Sequence, residues 1–98
     1  MTCAAPAALS APATAAADAA LAKQRHCMNC HAVERKIVGP ALKDVAARYA
    51  GNAEAVPYLA RKIITGGAGA WGPVAMAANP AVTPDEAKRL AAWILTLK

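Results

Sequence analysis

Hydrophobic positions recur at helical spacing in four stretches of this chain and alternate in none. The first is predicted from Asp18 to about Cys30: Asp18 can cap it, Ala19, Ala20 and Ala22 favour it, and Leu21 marks its buried face. After a loop broken by Gly39-Pro40, Leu42, Val45, Ala46 and Tyr49 predict a short helix ended by Gly51. A third helix is expected over 55–65. Pro57 fits its first turn, Val56, Leu59 and Ile63 form its stripe, and Gly66-Gly67 stops it. Residues 66–82 carry four Gly, two Pro and no charge, so they read as a loop or linker. Thr83-Pro84-Asp85-Glu86 then supplies an N-cap, a proline at the first helical position and a capping box. The last helix should run to about Leu97 with Ala87, Leu90, Ala91, Ile94 and Leu97 on one face. No segment reads as a strand, so the expected class is all-α.

Composition changes this picture in one respect. The chain has 98 residues, enough for one short domain, and is 57% hydrophobic, but much of that is alanine and there is no Phe. Only Trp71, Trp93, Tyr49 and Tyr58 are aromatic. Side chains alone make a thin core, which a buried cofactor would complete. Residues 1–17 are uncharged and dominated by Ala, Pro, Ser and Thr, and Ala15-Ala16-Ala17 resembles a signal-peptidase site. They read as the tail of an export signal, with a disordered Ala/Pro leader as the alternative, which leaves 18–98 as the domain. Cys3 lacks the upstream apolar run of a lipoprotein cysteine and receives no role.

After Asp18 nothing approaches the ~18 consecutive apolar residues of a transmembrane helix, so a soluble mature protein is expected. The net charge of +5 falls entirely within 18–98 and favours acidic partners. With no basic run and no aromatic-interleaved basic stripe, nucleic acid is not an expected partner.

The chemistry concentrates in Cys27-Met28-Asn29-Cys30-His31, a C-x-x-C-H haem-attachment motif. Two thiols three positions apart can each add to a vinyl group on one porphyrin edge, and the adjoining imidazole can reach the iron. A dithiol redox site would require a strand-then-helix context, whereas the flanks here are Ala-rich and helical. Zinc would require four ligands. Only His26, His31 and Cys3 remain beside the pair, with no second C-x-x-C.

A second axial ligand separates an electron carrier from an enzyme or gas binder. Met28 sits between the attaching cysteines and Met1 lies in the leader. Met76 is therefore the candidate, 45 residues after His31 in the Gly/Pro loop. His26 adjoins Cys27 on the proximal side and reads as a surface or interface histidine.

Over essentially all of 18–98 the chain resembles the small bacterial class I cytochromes c that shuttle electrons to dissimilatory nitrite reductases or terminal oxidases. The resemblance rests on Ala22-Lys23-Gln24, the C-x-x-C-H-Ala32 segment, Val38-Gly39-Pro40-Ala41, Lys43-Asp44-Val45-Ala46 and Tyr49-Ala50-Gly51. It continues in Trp71-Gly72-Pro73 before Met76, Ala87-Lys88 and Trp93-Ile94-Leu95. It implies about four helices wrapped around one covalently bound haem c, with Leu21 meeting Trp93 or Ile94 where the first and last helices cross. By the same resemblance the Pro40 carbonyl orients His31, Trp71 and Lys62 meet haem propionates, and Asn79 hydrogen-bonds near the methionine sulfur. One departure is that Ala75, Ala77 and Ala78 surround Met76 where the family usually carries prolines, so the loop loses pre-organisation.

The expected function is periplasmic single-electron transfer by a monomer, with no catalytic residues. The resemblance implies a donor such as a cytochrome bc1-type complex and an acceptor such as nitrite reductase or a terminal oxidase. Docking would use an apolar patch at the haem edge, with Lys23, Arg25, Arg35 and Lys36 as its candidate basic rim. The alternatives are a haem subunit of a larger reductase or oxidase complex, and a haem enzyme or sensor with a labile methionine.

Overall fold

The computed structural model describes the chain from Ala5 to Lys98, with side chains from Ala15 onward. Cys3 and the start of the leader lie outside these residues. The order is α1 (Ala5–Gln24), a 3-10 turn (Cys27–Asn29), α2 (Leu42–Arg48), α3 (Ala55–Thr65), β1 (Gly67–Gly69), β2 (Gly72–Met76) and α4 (Pro84–Leu95).

Helix α1 does not start at Asp18. It passes through that position because the alanines on both sides are the strongest helix formers and nothing there interrupts the ladder. Instead of capping, Asp18 is buried and its Oδ1 accepts from Arg89 Nε (3.1 Å) and NH2 (2.9 Å) on α4. Residues 15–17 are exposed, and Asp18 is the first buried residue among those whose side chains are described. Nor does α1 reach Cys30. His26, left-handed at φ 66°, ends it two residues after Gln24, and the chain tightens into the 3-10 turn. A left-handed backbone costs a non-glycine residue about 1–2 kcal/mol.

Helix α4 lies across α1, α2 and α3. Leu21, Ala22, Val45, Leu59, Ile63, Val82, Ala87, Leu90 and Ala91 form a single buried cluster, with Trp93 and Ile94 packed at its edge. Helix α3 has the predicted bounds, and α4 begins as predicted but ends at Leu95. Its capping box is complete: Thr83 Oγ1 accepts from Glu86 N, and Glu86 Oε1 accepts from Thr83 N, each at 3.2 Å.

The expectation of no strands is corrected by a two-stranded antiparallel hairpin, pairing Gly67 with Met76 and Gly69 with Gly72 around an Ala70-Trp71 turn. It hides from a periodicity reading because both strands are largely exposed, so neither needs an apolar face. Gly67, Gly69 and Gly72 meet its backbone geometry, with φ of 145°, 99° and 110°. Gly66, where α3 stops, is buried and held so close to the backbone of Met76, Ala77 and Ala78 that a Cβ would collide with it.

The ion pair Arg25–Glu86 (NH2–Oε2 3.0 Å, Nε–Oε1 3.2 Å) joins the end of α1 to the start of α4. The hydrogen bond from Arg25, then the Thr83 backbone N–H, holds the Glu86 carboxyl below its usual range. A depressed carboxyl stabilises the fold above its unfolded pKa, and this contribution is lost as pH falls through the folded value. Thr83→Ala should lower stability by about 1 kcal/mol, or roughly 4–8 °C in Tm, in a calorimetric scan. Glu86→Gln should flatten the acid limb of a stability–pH curve while leaving its slope above neutrality unchanged.

Candidate haem site

The 3-10 turn builds the thiol pair. In this geometry side chains at i and i+3 eclipse, so Cys27 and Cys30 share a face. Both are free, Cys27 half-buried and Cys30 exposed. Burial pushes the Cys27 thiol up against a smaller opposing pull from a backbone hydrogen bond.

His31 follows the turn, with its N–H on the Cys27 carbonyl (3.1 Å). The next ten residues fold back on the turn through Gly39 N to Cys30 O (2.7 Å) and Leu42 N to Ala32 O (2.9 Å). That fold brings the Pro40 carbonyl 2.8 Å from His31 Nδ1. A carbonyl only accepts, so Nδ1 is the donor of this bond, and the tautomer with its proton on Nδ1 is the one whose Nε2 offers the lone pair an iron ligand needs. Gly39 permits this approach: a Cβ there would stand 2.5 Å from His31 Cε1 and 2.9 Å from Nδ1.

Cys27, Cys30, His31 and Pro40 line one side of a largely apolar cavity of about 630 Å³. Lys62 comes to it from α3, Trp71 and Met76 from the hairpin, and Asn79 from the segment after β2. All eight residues singled out in the sequence thus meet at one place. The cavity falls within the usual 300–1,000 Å³ of cofactor sites. Its donors are two thiols, an imidazole and a thioether, so the residues fit a covalently attached haem.

The eight have unequal surroundings. Lys62 Nζ lies 5.7 Å from the Tyr58 ring centroid, and neither of the ion pairs among the described residues uses it. Trp71 is 40% exposed, its ring covered on one face by the Arg48 guanidinium. The Asn79 side-chain amide donates to the Arg25 carbonyl (2.8 Å), tying the segment after Met76 to the segment before Cys27. His26 is exposed beside Cys27 and also lines the cavity.

Sequence reasoning missed four contributors. Gly39 is visible in the sequence as part of the Gly39-Pro40 loop break and of the Val38–Ala41 resemblance, and its closeness to the imidazole has no sequence signal. Arg25 was expected on a docking rim but is held by Glu86. Tyr49 and Tyr58, with ring centroids 5.6 Å apart, form part of the cavity wall. Burial, then the hydrogen bond to Tyr58, raises the Tyr49 phenol.

A helical fold wrapped around a cavity with this donor set defines a haem protein of the class I cytochrome type. The chain belongs to the cytochrome c family, whose model, described as "Cytochrome c", matches residues 15–98. It is 56% identical over 84 residues to cytochrome c-552 of Nitrosomonas europaea, covering 86% of this chain and 82% of that protein. It is 55% identical over 82 residues to cytochrome c-552 of Hydrogenobacter thermophilus, covering 84% and 83%. The crystal structure of wild-type Nitrosomonas europaea cytochrome c552 superposes with a TM-score of 0.79 at 55% identity, over 82% of this chain and 99% of that one. This chain is accordingly a small monohaem electron carrier with covalently bound c-type haem, and not an enzyme.

Gly39→Ala should force the imidazole off the Pro40 carbonyl. The expected result is about 1–3 kcal/mol of lost stability, the range for overpacking a tight site. It should come with loss of the downfield His31 Nδ1–H resonance in the NMR spectrum of the ferrous holoprotein. A full-strength resonance at the wild-type position would show that the ring has room to accommodate the methyl.

Proposed function

We propose that residues 18–98 act as a periplasmic carrier in which Cys27 and Cys30 form the thioether links and His31 and Met76 are the axial ligands. The observation that carries this reading is the His31–Pro40 hydrogen bond. It leaves Nε2 free in a cavity that both cysteines and Met76 also line. When bound, the haem iron supplies a one-electron ferrous/ferric couple.

The chain's residues then set the terms of transfer. His31, with its proton held by Pro40, is a fixed and more basic nitrogen donor. Met76 offers a soft thioether, which favours the lower oxidation state and raises the potential. Two protein ligands leave no coordination position for substrate. Lys62, without a carboxylate partner among the described residues, and Trp71 both line the cavity, which supports their role as propionate partners.

Export is supported by the position of the leader. The Ala15-Ala16-Ala17 site is exposed and stands immediately before Asp18, which is buried. No helix among the described residues is long and apolar enough to cross a membrane.

The docking face is proposed to surround the attaching cysteines. Exposed Ile37 (46%) and Val38 (51%) lie there beside exposed Arg35 and Lys36, with Lys23 on α1. Its partners are a cytochrome bc1-type donor and a nitrite reductase or terminal oxidase as acceptor. Arg25 is left out because Glu86 neutralises it.

Met76→Ala removes the thioether. The potential should fall, on the order of hundreds of millivolts given the range axial ligands command, and the ferric protein should gain cyanide binding. An unchanged potential and unchanged cyanide binding would refute Met76 as ligand. For docking, the association rate with an acidic redox partner should fall steeply as salt rises. Stopped-flow measurements should show Lys36→Glu slowing association more than Lys98→Glu.

A further inference from the structure

The hairpin that carries Met76 has few ties to the rest of the fold. Among the described residues from Gly67 to Ala78, the one hydrogen bond to a different element runs from Arg48 NH1 to the Ala70 carbonyl at 2.6 Å. The same guanidinium lies with its Cζ 4.4 Å from the Trp71 ring centroid. Ala70 and Trp71 are the two residues of the hairpin turn, and Arg48 is the last residue of α2. A single guanidinium thus touches both turn residues, one through a hydrogen bond and one over its ring. At the other end the hairpin is anchored by Gly66 against the Met76 backbone and by Asn79, whose N–H reaches the Ile63 and Ile64 carbonyls (3.2 and 3.1 Å).

We propose that Arg48 is a positioning residue: its guanidinium clamps the Ala70-Trp71 turn to the end of α2 and so keeps the Met76 strand closed over the cavity. Arg48 itself stands outside the cavity that Ala70, Trp71 and Met76 line. Release of the tip leaves a strand hinged at Gly66 and Asn79. Alanines flank Met76 on both sides, so the backbone immediately beside it has no proline to stiffen it; Pro73 lies three residues back in the strand. Lysine cannot substitute, because a point charge on a flexible stem offers neither the plane that stacks on indole nor the fork that bonds a carbonyl at the same time.

The test uses the full holoprotein as wild type, Arg48→Lys and Arg48→Ala. Native-state hydrogen exchange reads hairpin opening directly. Amide exchange over residues 68–76 should rise about tenfold in both variants, the size of one exposed cation–π contact plus one hydrogen bond, with α3 and α4 unchanged. Cyanide entry into the ferric protein, followed as loss of the long-wavelength methionine–iron band, should quicken by a similar factor. Wild-type exchange in Arg48→Ala would overturn the clamp, as would a uniform rise across all helices. Full restoration by Arg48→Lys would overturn its planar character. The spectroscopic readout rests on Met76 as ligand: absence of the band from the wild-type protein would refute that assignment, while hydrogen exchange would still decide the role of Arg48.

Discussion

The hydrogen bond between His31 Nδ1 and the Pro40 carbonyl is the contact on which the site depends. Its partner is a carbonyl oxygen, which can only accept, so the orientation of the pair admits one reading: the ring donates. The preceding glycine leaves the ring space, and two backbone hydrogen bonds, Gly39 to Cys30 and Leu42 to Ala32, hold the loop on both sides of Pro40. Ring orientation, tautomer and the entry angle of α2 are therefore fixed together. Altering the loop would disturb the helix that supplies Val45 to the core and Arg48 to the hairpin.

Around that contact the apolar packing is thin. The buried cluster is made of four alanines and a few Leu, Val and Ile side chains, with no Phe in the chain. A protein of this size has little margin if its interior is loosely filled. The covalent haem of the family adds apolar bulk that the sequence does not supply, and two thioether links make its retention independent of the strength of non-covalent packing. Cys27 and Met28 pack against the buried cluster, so the attachment turn is part of the core rather than an appendage to it. Polar ties supplement the packing where helices end. Asp18–Arg89 and Arg25–Glu86 fasten α1 to α4, and the Asn79 amide adds the segment after Met76 to the same corner through the Arg25 carbonyl.

What the sequence disclosed follows from how local each signal is. The C-x-x-C-H spacing, the Thr83 capping box and the bounds of α3 are set by residues within one or two turns of each other, and these were readable. The start of α1 was not. Asp18 is a good cap in isolation, but its carboxylate is engaged by Arg89, 71 residues away, and the alanines continue the helix past it. The hairpin was hidden for a different reason: its glycines and alanines serve backbone pairing and give no alternation to detect. The left-handed His26 was equally silent, since a residue that normally avoids positive φ announces nothing by its presence. The candidate site was nearly complete in sequence because its chemistry resides in rare residue types. Its supports, Gly39, Arg48 and the Arg25–Glu86 pair, act through distances that only the fold creates.

The ion pairs also shape the charge the protein presents. Each joins one basic and one acidic residue, so the net charge of +5 is unchanged, but the positive field is relocated. Arg25 and Arg89 are neutralised along the α1–α4 contact. Lys23, Arg35 and Lys36 remain exposed, and Lys36 lines the cavity. Under the proposed carrier role, positive charge at that mouth would orient an acidic partner toward it before contact, which would raise the encounter rate without enlarging the interface. Exposed Ile37 and Val38 would then supply a short-range apolar contact of small area. A carrier must leave its partner as readily as it meets it, and long-range attraction joined to a small apolar footprint satisfies both requirements.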